Sequence, residues 1–271
     1  MKLVRYEIDG AEGIGVLRGG EIHLLACDDM VELMPVAAQF VETGEADSIA
    51  GARILPPLIP GKILAIGRNY AEHARELNNE VPAEPLVFAV MPSAVIGDGD
   101  VIEWERELTA QVDWEGELAV IIGATARRVS QADALNYVFG YTIANDVSAR
   151  DLQTRDKQWT RAKGLDTFCP LGPVVVTADE IPDPQKLRIV TTVDGVEKQN
   201  GSTADMIFSV SYLIAHLSRA FTLRPGDVIL TGTPSGVGKA MNPPEFLGEG
   251  SVVSVEIEGI GKLTNPCRVL V

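Results

Sequence analysis

An α+β fold, mainly β, is predicted for this chain by three observations. Short apolar runs bounded by Gly, Pro, Asn or Asp recur along most of its length. Helical spacing of apolar residues is clear in one place, Val210, Leu213, Ile214, Leu217 and Phe221 within 209–221. Strands and helices do not alternate strictly, so a parallel βαβ sheet is not indicated.

The elements follow in order. Runs at 3–8, 13–17 and 21–25, the last two parted by Gly19-Gly20, predict a small β-meander, with a helix near 28–43. Pro56, Pro57 and Pro60 forbid regular structure and mark a stiff linker, which places a small N-terminal domain at 1–60 and a larger domain at 61–271. Strands are predicted at 63–66, 86–90, 118–122, 138–144, 174–177, 189–193, 228–231 and 252–257. Asp194-Gly195 between two of these runs predicts a two-residue hairpin turn. Helices are predicted at 69–77 and 209–221, and Ser130 to Asp133 has the start of a capping box.

Composition excludes several classes. The 271 residues carry a net charge of −15, the wrong sign for a nucleic-acid or anionic-membrane surface. The three cysteines, Cys27, Cys169 and Cys267, fit neither a zinc pattern nor a disulfide framework, so reduced thiols and a cytoplasmic location are expected. No apolar stretch is long enough to span a membrane, and acidic Glu7 and Asp9 argue against a signal peptide. Gly232 to Lys239 has the wrong spacing for a phosphate loop, and Ala240 stands where Ser or Thr is required. Gly13 to Gly15 lacks the third glycine of a dinucleotide fingerprint.

Three clusters carry chemistry. Glu115 and Glu117 flank Gly116 at the head of the apolar run 118–122, so both carboxylates point the same way from one buried strand. Such a pair needs a cation, and Asp146, at the end of the run 138–144, is the natural third ligand. An all-oxygen set of this kind suits Mg²⁺ or Mn²⁺. A solvent-facing Glu pair and a helix-capping Asp would leave the same pattern. His73 and Glu76 lie three apart on the helix predicted after Gly67, where a carboxylate can orient an imidazole as general base; an incidental surface pair is the bland alternative. Lys163, in a Gly- and aromatic-rich segment, can pair with a metal carboxylate or hold an anionic substrate group.

These clusters, in this order, resemble the fumarylacetoacetate hydrolase family. The resemblance covers Gly67-Arg68-Asn69-Tyr70 with His73, Glu115-Gly116-Glu117, Asn145 to Asp151, Ala162-Lys163-Gly164, Met206-Ile207-Phe208 and Leu223 to Pro234. It implies a mixed β-roll catalytic domain with metal ligands Glu115, Glu117 and Asp146, Mg²⁺ or Mn²⁺ as cofactor and Ca²⁺ as a further candidate. It implies His73 and Glu76 as the catalytic dyad on a lid helix, with Lys163 beside them. Arg68, Tyr70, Arg150, Gln153 and Thr233 become substrate-binding positions, and a homodimer is expected. The segment 158–170 is most similar to the acylpyruvase and oxaloacetate decarboxylase branch. The implied reaction is hydrolysis or decarboxylation of a short, anionic 2,4-dioxo or 2-oxo acid through an enolate. An isomerase or hydratase of hydroxymuconate-type acids is the alternative, and a non-catalytic metal- or ligand-binding protein is the rival from another class.

Overall fold

The computed structural model describes residues 1–36 and 40–270. Its largest sheet runs, edge to edge, through Glu42–Ser48, Glu21–Leu25, Ala11–Arg18, Lys2–Ile8, Cys169–Thr177, Val138–Asn145, Gly116–Ile122, Val228–Leu230, Ile63–Gly67 and Leu86–Val90. A second sheet orders Val196–Ser202, Arg188–Val193, Val252–Ile257, Gly261–Leu270 and Ile102–Glu105. Val228–Leu230 pairs in parallel with Ile63–Gly67 while its other neighbour is antiparallel, so the sheet is mixed. The N-terminal meander is continuous with the main sheet, because Lys2–Ile8 pairs antiparallel with Cys169–Thr177.

The central strand Gly116–Ile122 is buried on both faces, which explains its unbroken apolar run. Leu118, Val120 and Ile122 pack with Ile189, Val255 and the helix Val210–Ala220. Ala119 and Ile121 face a second core with Ile63, Leu171 and Val228. The helix is capped by Ser209, whose hydroxyl accepts from the Tyr212 N–H, and it buries Val210, Leu213, Ile214 and Leu217. Each such side chain contributes about 1.5–3 kcal/mol on burial. Asp194 and Gly195 both take positive φ, 51° and 78°, the geometry of a tight hairpin turn.

Two predicted helices differ from the structure. Ser130 and Asp133 do bond each other, at 2.6 Å, but a 3-10 turn, Ala134–Tyr137, follows instead of an α-helix. Its successor Val138 is already drawn into the sheet. In the region predicted as helix 28–43, Met30–Val36 is a 3-10 helix and Glu42 begins a strand; residues 37–39 lie outside the described residues. The strand Glu42–Ser48 is polar and mostly exposed, formed by its ladder with Glu21–Leu25 and not by burial, so no apolar alternation announces it. Among the described residues, no helix is long and apolar enough to cross a membrane.

Candidate active site and metal centre

The site begins with strand register. Gly116 pairs with Asn145 and Glu117 with Ala144, so the Glu pair and Asp146 meet at one edge of two adjacent strands. Two hydrogen bonds lock this edge: Asp146 N–H donates to the Glu115 carbonyl and Glu115 N–H to Asn145 Oδ1, both at 2.9 Å. Oxygens of Glu115, Glu117 and Asp146 then lie within 4.8 Å of one another, and all three residues are buried.

Two cations answer them. Lys163, at the end of the short helix Thr160–Lys163, places Nζ 2.8 Å from Glu115 Oε2 and 2.7 Å from Asp146 Oδ2. Of the two roles open to Lys163, pairing with the carboxylates is the one the structure displays. Arg150 reaches Glu115 Oε1 through Nη1 and Asp113 Oδ2 through Nε, each at 2.7 Å. Asp113 is wholly buried and also accepts from the backbone N–H of Gly238 and Lys239, at 2.7 and 3.0 Å.

The charges do not balance. Among the described residues, buried Asp113, Glu115, Glu117 and Asp146 meet the permanent cations Arg150 and Lys163, so carboxylates outnumber those cations by two in a site out of water. The titration behaviour follows this imbalance. Burial raises the Glu115 pKa, but Lys163 and Arg150 outweigh it and hold the group at about 2. Burial pushes Asp146 up to about 6, with Lys163 opposing and Glu115 adding to the rise. Burial, then Asp146 and Glu115, raise Glu117 well above the carboxylate range, against Lys163 and the Gly232 N–H. Asp146 Oδ1 is buried with no hydrogen-bond partner. An orphaned carboxylate oxygen and two uncompensated charges are what a divalent cation with oxygen ligands would satisfy, so the residues fit such an ion.

Beside this centre lies a cavity of about 260 Å³, lined among others by Glu115, Lys163 and His73. His73 is held by a 2.6 Å contact between its Nδ1 and Glu76 Oε1, on the helix Ala71–Glu76, which leaves Nε2 as the second ring nitrogen. Glu76 Oε2 accepts from the Gly236 N–H at 2.8 Å, which ties this helix to the loop 232–240. Gly232 of the same loop donates to Glu117 Oε2 at 2.6 Å; it has φ +94°, and a Cβ there would lie 2.7 Å from that of Asn69.

Of the positions expected to bind substrate, Arg68, Arg150, Gln153 and Thr233 line the cavity. Thr233 Oγ1 is already engaged, donating to the Gly116 carbonyl at 2.9 Å and accepting from Gln199 at 2.7 Å. Tyr70 is not among the residues that line the cavity. It lies 2% exposed, with its backbone bridged to Met206 and its hydroxyl lacking a hydrogen-bond partner. Asp113, Phe88, Trp159 and Lys239 were not anticipated as site residues. Asp113 continues the spacing of Glu115 and Glu117 and was legible on that ground. The aromatic residues carry no such signal, because their place depends on the packing of separate segments.

The mixed roll and its carboxylate centre define an enzyme class, and sequence comparison names it. Residues 62–268 match the family described as fumarylacetoacetate (FAA) hydrolase C-terminal, and residues 1–57 match an Rv2993c-like N-terminal unit. The chain belongs to the fumarylacetoacetate hydrolase family. It is 50% identical over 205 residues to oxaloacetate tautomerase YisK of Bacillus subtilis, covering 75% of this chain and 68% of that protein. A solved fumarylacetoacetate hydrolase from Exiguobacterium antarcticum shares 40% identity, with full coverage of both chains and a TM-score of 0.91. The 5-carboxymethyl-2-hydroxymuconate delta-isomerase of Mycobacterium smegmatis shares 36% identity, again over both full chains, with a TM-score of 0.87.

Proposed function

We propose that this protein is a divalent-metal-dependent enzyme that cleaves a carbon–carbon bond in a short 2-oxo or 2,4-dioxo acid through its enolate. Acylpyruvate hydrolysis and oxaloacetate decarboxylation are the two forms of that reaction. The observation that carries the reading is the excess of two buried carboxylates over buried cations, beside a cavity lined by His73, whose Nδ1 meets Glu76. Glu115, Glu117 and Asp146 would hold Mg²⁺ or Mn²⁺. When bound, the ion supplies Lewis-acid polarisation of the substrate's carboxylate and 2-oxo oxygen.

The chain's own groups do the rest. Glu76 fixes the His73 ring so that Nε2 takes a proton from water, which attacks the distal carbonyl of a dioxo acid. The bond between the third and fourth carbons then breaks, its electron pair stays as the pyruvate enolate, and the proton returns to that third carbon. Lys163 holds Glu115 and Asp146 in place, and Arg150 holds Glu115. A small anionic substrate, a cytoplasmic location and a homodimer complete the proposal.

A second reading is tautomerisation or isomerisation without bond cleavage, favoured by the likeness to a tautomerase and to a hydroxymuconate isomerase. It needs the same enolate but no attacking water. Assays of pyruvate release and of keto–enol exchange, on acetylpyruvate and oxaloacetate, separate the two. Activity should vanish in EDTA and return with Mg²⁺ or Mn²⁺. Undiminished turnover in EDTA would remove the metal from both readings.

A further inference from the structure

Gly116, between Glu115 and Glu117, lies where one flank of its strand loses its neighbour. Val228–Leu230 pairs with the strand only from Ala119 to Ile121, and the next bond runs from the Thr231 N–H to the Leu118 carbonyl at 3.1 Å. The chain then turns, and Gly232 gives its N–H to the Glu117 side chain. The ladder on this flank therefore stops short of Gly116, whose buried N–H and carbonyl need other partners.

The second sheet supplies them. Gln199 Oε1 accepts from the Gly116 N–H at 3.0 Å, while Gln199 Nε2 donates to Thr233 Oγ1 at 2.7 Å and to the Pro234 carbonyl at 2.8 Å. Thr233 closes the ring by donating to the Gly116 carbonyl at 2.9 Å. Gln199 is wholly buried, the one buried position of the strand Val196–Ser202, where an apolar residue would be expected. The register pairs Thr191 with Gln199 but Thr192 with Glu197, so Lys198 is the extra residue of a β-bulge, a device that re-aims a neighbouring side chain. Thr191 Oγ1 is buried without a hydrogen-bond partner and lies 2.3 Å from where a Cβ on Gly116 would be. Bulge, buried amide and excluded side chain all converge on the residue between the two glutamates.

We propose that Gln199 is a positioning residue for the metal centre, fixing through Gly116 and Thr233 the backbone from which Glu115 and Glu117 reach the ion. The Gly116 N–H belongs to the peptide shared with Glu115 and its carbonyl to the peptide shared with Glu117. The ring of bonds through Gln199 therefore sets the rotation of both units that carry ligands, without touching ion or substrate. The inference rests on the metal reading above and assigns the second sheet a part in it.

The probe is Mn²⁺ alone, added to the full chain after treatment with EDTA. Gln199→Met keeps the length of the side chain and removes its three hydrogen bonds. It should weaken Mn²⁺ binding by roughly 10-fold in calorimetry, the low end of the range for groups that orient metal ligands. The zero-field splitting in the EPR spectrum of the bound ion, which reports ligand geometry and not stability, should change with it. Ile257→Val trims the core beside the same sheet; it should lower the melting temperature and leave affinity and spectrum at wild-type values. Should Gln199→Met not fold, Thr233→Val and Thr233→Ser decide. The first loses the hydroxyl of the ring and should repeat both effects, whereas the second keeps it and should bind as the wild type does. Wild-type affinity and spectrum in Gln199→Met or in Thr233→Val overturn the role, as does an equal loss in Ile257→Val. A wild type that binds no Mn²⁺ overturns the metal reading itself, and the role with it.

Discussion

Glu117→Gln should make the metal-free protein more stable while abolishing its response to metal. Lys163 and Arg150 bond Glu115 and Asp146 directly, whereas Glu117 receives only the Gly232 N–H, at 2.6 Å. At the outer separation of 4.8 Å, each like-charge pair in the cluster costs about 3.5 kcal/mol at an effective dielectric of 20. Glutamine keeps the oxygen that accepts from Gly232 and removes two such repulsions. Lys163 attraction and partial protonation offset much of this, so a net gain on the order of 2 kcal/mol is expected at pH 8. That corresponds to a rise of roughly 4–8 °C in melting temperature for a chain of this size. The sign with pH is fixed. Glu117 has a folded pKa above its ordinary value, so the stability from its proton is complete below the unfolded value of 4.5 and is lost as pH rises through the folded one. The wild type should therefore soften from acid toward pH 8 in EDTA, and the variant should soften less. A metal at about 100 times its Kd adds about 2.7 kcal/mol to the wild type. The variant should gain almost nothing, which inverts the order of the two proteins. Thermal melts in EDTA and in saturating Mn²⁺, at pH 5.5 and 8, provide the assay. A variant that melts below wild type in EDTA at pH 8, or that keeps its full metal shift, would refute the argument.

Three further outcomes are expected. His73→Ala should lower hydrolysis by about 10²–10⁴-fold while metal binding by calorimetry is unchanged; intact hydrolysis would sink the dyad assignment. Lys163→Met removes one partner of a buried cluster and should cost the metal-free protein about 3–5 kcal/mol, with much of the loss recovered on adding Mg²⁺, as read by chemical denaturation. Metal affinity should climb between pH 5 and pH 7, because Asp146, at about 6, must release its proton to bind an ion; a flat titration would contradict this.

The sequence was most legible where burial stamps a pattern on an element, an unbroken apolar run for a strand covered on both faces and helical spacing for a helix covered on one. The strand Gly116–Ile122 announced itself by its apolar run, and its register with Val138–Asn145 is what brings Glu115, Glu117 and Asp146 together. The helix Val210–Ala220 was legible for the same reason. Glu42–Ser48 was not, since a ladder of backbone bonds leaves no mark on side-chain pattern. For Tyr70 the family motif gives a position in the chain and no side-chain direction. Lys239 was passed over with a glycine-rich loop that failed as a phosphate site. The loop does cradle anions, but they belong to the chain itself.

That loop has a consequence for how the sequence can vary. Its amides reach Glu117 through Gly232, Glu76 through Gly236 and Asp113 through Gly238 and Lys239. One stretch of backbone thus acts as a ruler for a carboxylate of the buried acidic cluster, the partner of the imidazole and the anchor of Arg150. Inserting or deleting a single residue between 232 and 239 would displace all three together, whereas Ser235, half-buried between them, can change with little effect. Spacing and the three glycines at 232, 236 and 238, where a Cβ would strike neighbouring atoms at 2.7, 2.1 and 2.1 Å, are together what this segment cannot lose.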